Sequence, residues 1–242
     1  CVSMCSCQWV EEALSSLDDT QGMAEDTSLS YTKINEVSFE YSPHYKPVEN
    51  RNSYNLLESD DMRVLYDKLY EYIHYVYPKA NEAGEYKTKQ VILQDVLLSE
   101  SDIRLTIKAL TDDNPHVFWL SDTFGFLKNT DENYTAVQLF SRLSSTELTQ
   151  CVKKLQSSAN SFYSTLRDGL SQYELELLIH DYLLAICEYD KSVEVDDSGF
   201  PQTNTNAFDV YGALVDKKAV CEGYARAFGM LCNSVGIECI NV

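Results

Sequence analysis

Cys221 stands in the run Val220-Cys221-Glu222-Gly223-Tyr224-Ala225, where a short polar turn, Asp216-Lys217-Lys218, gives way to an amphipathic stretch. Tyr224, Phe228 and Leu231 fall on one stripe at helical spacing, and Gly236 is well placed to end the helix as its C′ residue. A helix is therefore predicted from Cys221 to about Val235. A thiol in the first turn of a helix faces backbone N–H groups that lack intrahelical partners, at the positive end of the aligned peptide dipoles. Both effects favour thiolate over thiol. The same N–H groups can receive a developing oxyanion, so one turn can supply a nucleophile and half an oxyanion hole. Gly223 is read as leaving room for a substrate close to the backbone. The competing reading is that Cys221 is a small buried apolar residue, as most free cysteines are.

The other residues with chemistry are weaker candidates. The four histidines, His44, His74, His116 and His180, all precede Cys221. His180 lies in a long predicted helix and is read as structural, its ring N–H pairing with a backbone or carboxylate group. His116 falls in a turn and is read as a surface residue. Cys151, Cys187 and Cys232 lie within predicted helices, where the helix-start argument fails, and are read as packing residues. The eight cysteines include no C-x-x-C pair, and no histidine lies at zinc-ligand spacing from any of them. No structural metal site and no disulfide framework are predicted, although one bridge stays open. Tyr211 lies just before the Cys221 turn, but no spacing argument gives it a role.

These residues need elements to position them. Residues 1–50 read as a polar tail with one short alternating stretch, Val37-Ser38-Phe39-Glu40-Tyr41, as an edge strand. A helix is predicted from about Asp60 to Tyr77, with Leu65, Leu69, Ile73 and Val76 on its apolar stripe and Pro78 as its stop. Val91-Ile92-Leu93 and Val96-Leu97-Leu98 fit strand or buried helix equally. Ser99 or Ser101 is predicted to cap a short helix carrying Ile103, Ile107 and Leu110. After a turn at Asp112-Asp113-Asn114-Pro115, strands are predicted at Val117–Leu120 and Tyr134–Phe140. Ser144 with Glu147 and Ser171 with Glu174 are capping boxes. They open helices predicted to run from about Ser145 to Arg167, ended by Gly169, and from Ser171 to about Glu188. Residues 190–206 read as an exposed loop. Ile237–Val242 alternates like a strand and has no partner downstream, so the chain is read as truncated within it.

Composition narrows the setting. Acidic residues outnumber basic ones 38 to 19 in 242 residues, for a net charge of −19, which repels nucleic acid and anionic membrane surfaces. The apolar fraction is 44%, enough for a buried core, and no apolar run approaches a membrane span. Cys1 at the start of a polar segment makes the chain a candidate lipoprotein, with a possible lipid anchor at Cys1 and a tether behind it.

Val220-Cys221-Glu222-Gly223-Tyr224-Ala225, preceded by Tyr211-Gly212-Ala213-Leu214-Val215 and followed by Leu231 and Gly236-Ile237-Glu238-Cys239, resembles the nucleophile segment of bacterial transglutaminase-like domains. Ile179-His180-Asp181-Tyr182-Leu183 with Tyr189-Asp190 is similar to the helix before that segment, and Asp113–Leu120 to a stretch often found before the core. The likeness covers roughly residues 110–242 and is strongest over 173–242. It implies an α+β fold with a papain-like core, in which the cysteine helix packs on an antiparallel sheet, here with its N-terminal part only and preceded by a mainly helical region with a few strands. With the tail read from composition, the chain divides into three expected segments: the tail at 1–50, possibly a lipoprotein tether, an N-terminal α+β region at 51–165, and, by the resemblance, the incomplete core at 166–242.

The family's triad is Cys, then His, then Asp. Carried over, Cys221 is the nucleophile, attacking an amide carbonyl to form a thioester that water or an amine resolves. The sequence departs from the pattern after Cys221, where no His follows and nothing acidic follows Glu238. The resemblance implies a peptide or protein substrate, no cofactor, no metal, and an extracellular or cell-surface bacterial location. Calcium belongs to some relatives only, and no acidic loop here has calcium-motif spacing. The alternatives are a non-catalytic surface or scaffold module with the same fold, and a zinc-binding or redox cysteine protein.

Overall fold

The computed structural model describes residues 30–194 and 205–240. Cys1, Cys5, Cys7 and most of the expected 190–206 loop lie outside them. In chain order the elements begin β1 (Thr32–Lys33), α1 (Asn52–Asn55), α2 (Asp60–Tyr72), β2 (Tyr75–Ala80), β3 (Tyr86–Thr88), β4 (Val91–Gln94) and α3 (Glu100–Asp113). There follow β5 (Leu120–Asn129), β6 (Tyr134–Ser141), α4 (Ser145–Tyr163), α5 (Gln172–Ile186), β7 (Glu188–Tyr189), β8 (Lys218–Ala219) and α6 (Cys221–Ser234). A 3₁₀ turn at Asn206–Phe208 and a π-helical turn at Gly212–Asp216 precede β8. The fold is mixed α+β with an antiparallel sheet, as expected at that coarse level.

The chain divides into two compact units. Among the described residues the first holds 30–35, 57–108 and 119–149, and the second holds 36–56, 109–118, 150–194 and 205–240. The first unit carries the antiparallel sheet. β6 is its centre: Tyr134–Val137 pair with β4 on one edge, Phe140 and Ser141 pair with β3, and β5 runs along the other edge. β3 continues to β2 and β2 to β1. Residues 135–141 of β6 are buried throughout, as befits a strand covered on both faces, whereas β4 alternates buried and exposed.

The helix predicted to Tyr77 ends at Tyr72, and Tyr75–Ala80 is a strand with Pro78 inside it. Val76 pairs with Thr32 on one side and Thr88 on the other, and the register slips between Val76 and Ala80. A proline is tolerated at such an irregularity because no ladder donor is needed there. The expected strand at 117–120 begins only at Leu120, and α3 runs through Asp113, so the turn, closed by the Val117 N–H on the Asn114 carbonyl, comes two residues later than predicted. Val37–Tyr41 forms no strand.

The second unit is held by helices. Residues 36–50 lie against it: the Glu40 N–H donates to the Asn160 side chain at 2.9 Å, the Val48 N–H to the Asn233 carbonyl at 2.9 Å, and the Tyr45 hydroxyl to the Arg167 carbonyl at 2.8 Å. α4 ends at Tyr163 rather than Arg167, and α5 at Ile186. Among the described residues, no helix is long and apolar enough to cross a membrane.

Both expected capping boxes form. The Ser144 N–H donates to Glu147 Oε2 at 2.9 Å, and the Ser171 N–H donates to Glu174 Oε2 at 2.8 Å. Each serine Oγ accepts from the N–H of its glutamate at 3.3 Å. The serine hydrogen bonds hold both carboxyl groups below the usual glutamate range, because they favour the charged form. Their contribution is therefore full above the unfolded glutamate pKa of about 4.3 and is lost as pH falls through the lower folded values. Against a Glu147→Gln/Glu174→Gln double variant, the wild-type chain is expected to show the higher denaturation midpoint near neutral pH. The gap should close below pH ~3; a gap that stays constant with pH would remove the charged boxes from the account.

Candidate active site

α6 begins at Cys221, as the sequence predicts, and Gly236 ends it at φ +89°. Its N-cap residue, Val220, is extended and makes no side-chain cap bond. Of the five described cysteines, Cys221 alone is exposed. The reading of Cys221 as a buried packing residue is thereby excluded.

The backbone leading into Cys221 is held from two sides. On one side, β8 pairs with β7 in parallel, Lys218 with Glu188 and Ala219 with Tyr189. The Glu188 N–H donates to the Lys217 carbonyl and the Asp190 N–H to the Ala219 carbonyl, both at 2.9 Å. On the other side, the Val220 N–H donates to the Ala207 carbonyl at 2.9 Å. Lys217 supplies the reversal between the π turn and β8 at φ 58°, a left-handed conformation for a residue with a side chain.

The 206–209 turn sits between the π turn and the first turn of α6. Asp209, buried, accepts the Tyr211 N–H at 2.8 Å and the Gly212 N–H at 3.2 Å through Oδ1, which caps the π turn. The Asn206 side-chain amide donates to Asp216 Oδ2 at 2.8 Å. Gly223 does not open space for a substrate: a Cβ built there would meet the Ala207 carbonyl oxygen at 2.4 Å and the Asp209 carbonyl oxygen at 3.1 Å. The room it leaves is filled by the chain's own backbone.

Tyr224 ties the first turn of α6 to the end of α5, its hydroxyl donating to the Cys187 carbonyl. Glu222, next to the nucleophile candidate, accepts from Arg226 Nε at 2.9 Å and Nη2 at 2.7 Å, and Arg226 lies 4.0 Å from Asp112. Tyr211 is buried and stacks on Phe118, with ring centroids 4.8 Å apart. That places it in the core.

Cys187, Cys232 and Cys239 are buried or half-buried. Burial pushes the Cys187 and Cys239 thiols up, and pushes Cys232 up to about 12. The histidine contacts lead away from Cys221. His74 Nδ1 meets the Tyr70 carbonyl at 2.9 Å, His180 Nδ1 meets Asp181 Oδ1 at 3.0 Å on an exposed face, and His116 stands edge-on to Phe39. The Cys221 thiol has no hydrogen-bond partner among the described residues, and these hold no group of three or more His, Cys, Asp or Glu residues arranged for a metal ion.

Sequence reasoning missed Asp209 and the Ala207 carbonyl. An acid three residues before the Gly212 of an apolar turn is a local capping signal that points to Asp209. Nothing local points to Ala207, whose role comes from contacts with residues far along the chain. Compared with known proteins, the chain matches no family model and no curated sequence.

Proposed function

We propose that Cys221 is the nucleophile of a transglutaminase-like cysteine enzyme that acts on peptide or protein amides by acyl transfer. The observation that carries this reading is one exposed thiol at the first residue of α6, whose N-cap residue Val220 makes no side-chain cap bond. The N–H groups of a helix start can receive a developing oxyanion on a substrate. In the forward step the thiolate attacks the amide carbon, the C–N bond breaks, and the amine leaves with a proton. Water or a second amine then cleaves the thioester. The reading assigns this chain the nucleophile and gives none of its four histidines the role of base. It also takes α6 as the cysteine helix of a papain-like core; among the described residues, the strands of its unit are the parallel pair β7–β8.

The test is the rate of Cys221 carboxamidomethylation by iodoacetamide at pH ~7, followed by peptide mapping against glutathione as the reference thiol. A helix-start nucleophile is expected to react on the order of tenfold faster than glutathione, with Cys187 and Cys232 unmodified on that timescale. A rate at or below that of glutathione means exposure without activation, and the nucleophile assignment falls.

A non-catalytic surface or scaffold module is the second reading. It predicts that slow rate.

A further inference from the structure

The end of α6 opposite Cys221 carries a second cysteine pair. Cys232 lies in the last turn and is 1% exposed, while Cys239, beyond the helix, is half-buried. Gly236 reverses the chain between them: its N–H donates to the Asn233 carbonyl at 3.3 Å, and the Ile237 N–H donates to the Cys232 carbonyl at 3.0 Å. This is a Schellman ending, and it returns the backbone along the helix. The returning segment is not the strand expected at 237–242, since residues 237–240 pair with no strand and 241–242 lie outside the described residues. Asn233 holds it instead. Its Oδ1 accepts the Cys239 N–H at 2.9 Å and its Nδ2 donates to the Cys239 carbonyl at 3.1 Å. So clamped, Cys239 is held by the residue next to Cys232 in the chain, and both cysteines are free thiols.

We propose that Cys232 and Cys239 are a dithiol–disulfide couple that staples the returning segment to the end of α6. The proposal is independent of the role of Cys221. Access assigns the roles: Cys239 is reachable and Cys232 is not. With a low-molecular-weight disulfide as oxidant, the Cys239 thiolate attacks one sulfur, the oxidant's S–S bond breaks, and one small thiol leaves. The Cys232 sulfur, after giving up its proton, attacks the Cys239 sulfur of the mixed disulfide and expels the second small thiol. Two protein thiols lose two electrons, one disulfide is reduced to two thiols, and the two protons end on the released thiols. Burial first, and with it the negative charge of Glu176 on α5, disfavours both thiolates and slows exchange.

The experiment is oxidation of the full chain with oxidised glutathione at neutral pH, followed by alkylation, intact mass and peptide mapping. The expected product is lighter by about 2 Da, maps to a Cys232–Cys239 link, and reverts with dithiothreitol. Cys239→Ser, at a half-buried position outside the helix, should abolish that link, and Cys221→Ala should keep it. A lasting glutathione adduct on Cys239 with Cys232 still reduced overturns the proposal. So do two thiols that both stay free, or a link from either one to a different cysteine.

Discussion

Gly212→Ala is expected to destabilise the second unit by about 3 kcal/mol, the upper range for forced overpacking. A Cβ at this position would lie 2.1 Å from the Asn206 carbonyl oxygen, 2.7 Å from its carbon and 2.9 Å from the Lys218 carbonyl oxygen. These are backbone atoms, so no rotamer change relieves the clash. Relief requires the 206–209 turn to move, and that turn accepts the Val220 N–H at the N-cap of α6. Gly223→Ala meets the same turn from the opposite side, at 2.4 Å from the Ala207 carbonyl oxygen, and should cost about as much. Gly169→Ala is the control. Gly169 has φ +81° and nothing within 4 Å of the place a Cβ would take, so only the left-handed backbone opposes the change, at about 1 kcal/mol. Urea denaturation of the three variants measures the difference. Equal losses in all three would show that the close approach of the 206–209 turn contributes nothing.

Trp119→Ala is expected to cost about 4 kcal/mol, the usual range for removing a large buried aromatic side chain. Trp119 is 0% exposed in the first unit. Its indole N–H donates to the Ile73 carbonyl at 3.3 Å, at the end of α2, and its ring meets the His74 ring at 5.7 Å. The substitution therefore removes apolar burial and leaves a buried carbonyl without its donor. Trp119→Phe keeps most of the apolar contact and loses the N–H, so its cost should be about 1–2 kcal/mol. Far-UV circular dichroism during denaturation reads both. A loss under about 1 kcal/mol for Trp119→Ala would mean that the site collapses onto the space left behind.

The elements legible in the sequence are those whose signals lie within a few residues. Ser144 with Glu147 and Ser171 with Glu174 mark their helices through bonds that span one turn. Cys221 and Gly236 bound α6 by the same local logic. The helix-start placement of the candidate nucleophile is legible for that reason, whereas its exposure is settled only by the packing around it. The elements misread are those whose partners lie far along the chain. Tyr75–Ala80 continues a helical apolar stripe, but Val76 finds strand partners at Thr32 and Thr88. Ile237–Ile240 alternates like a strand, yet the Asn233 side chain takes the place of a ladder at Cys239.

The amino-acid sequence by itself determined where the long helices start and that Cys221 opens one of them, whereas α6 buries Gly223, Ala227 and Met230 rather than the expected Tyr224 and Phe228. Caps and periodicity are short-range physics. Only the tertiary structure decided what surrounds Cys221. Gly223 looks like space for a substrate in sequence, but the Ala207 and Asp209 carbonyls occupy it. Asp209, Tyr224 and the β7–β8 pair hold the approach to the thiol through partners that local patterning does not reveal. Helix hydrogen bonds close within four residues, whereas these contacts close only when distant segments pack.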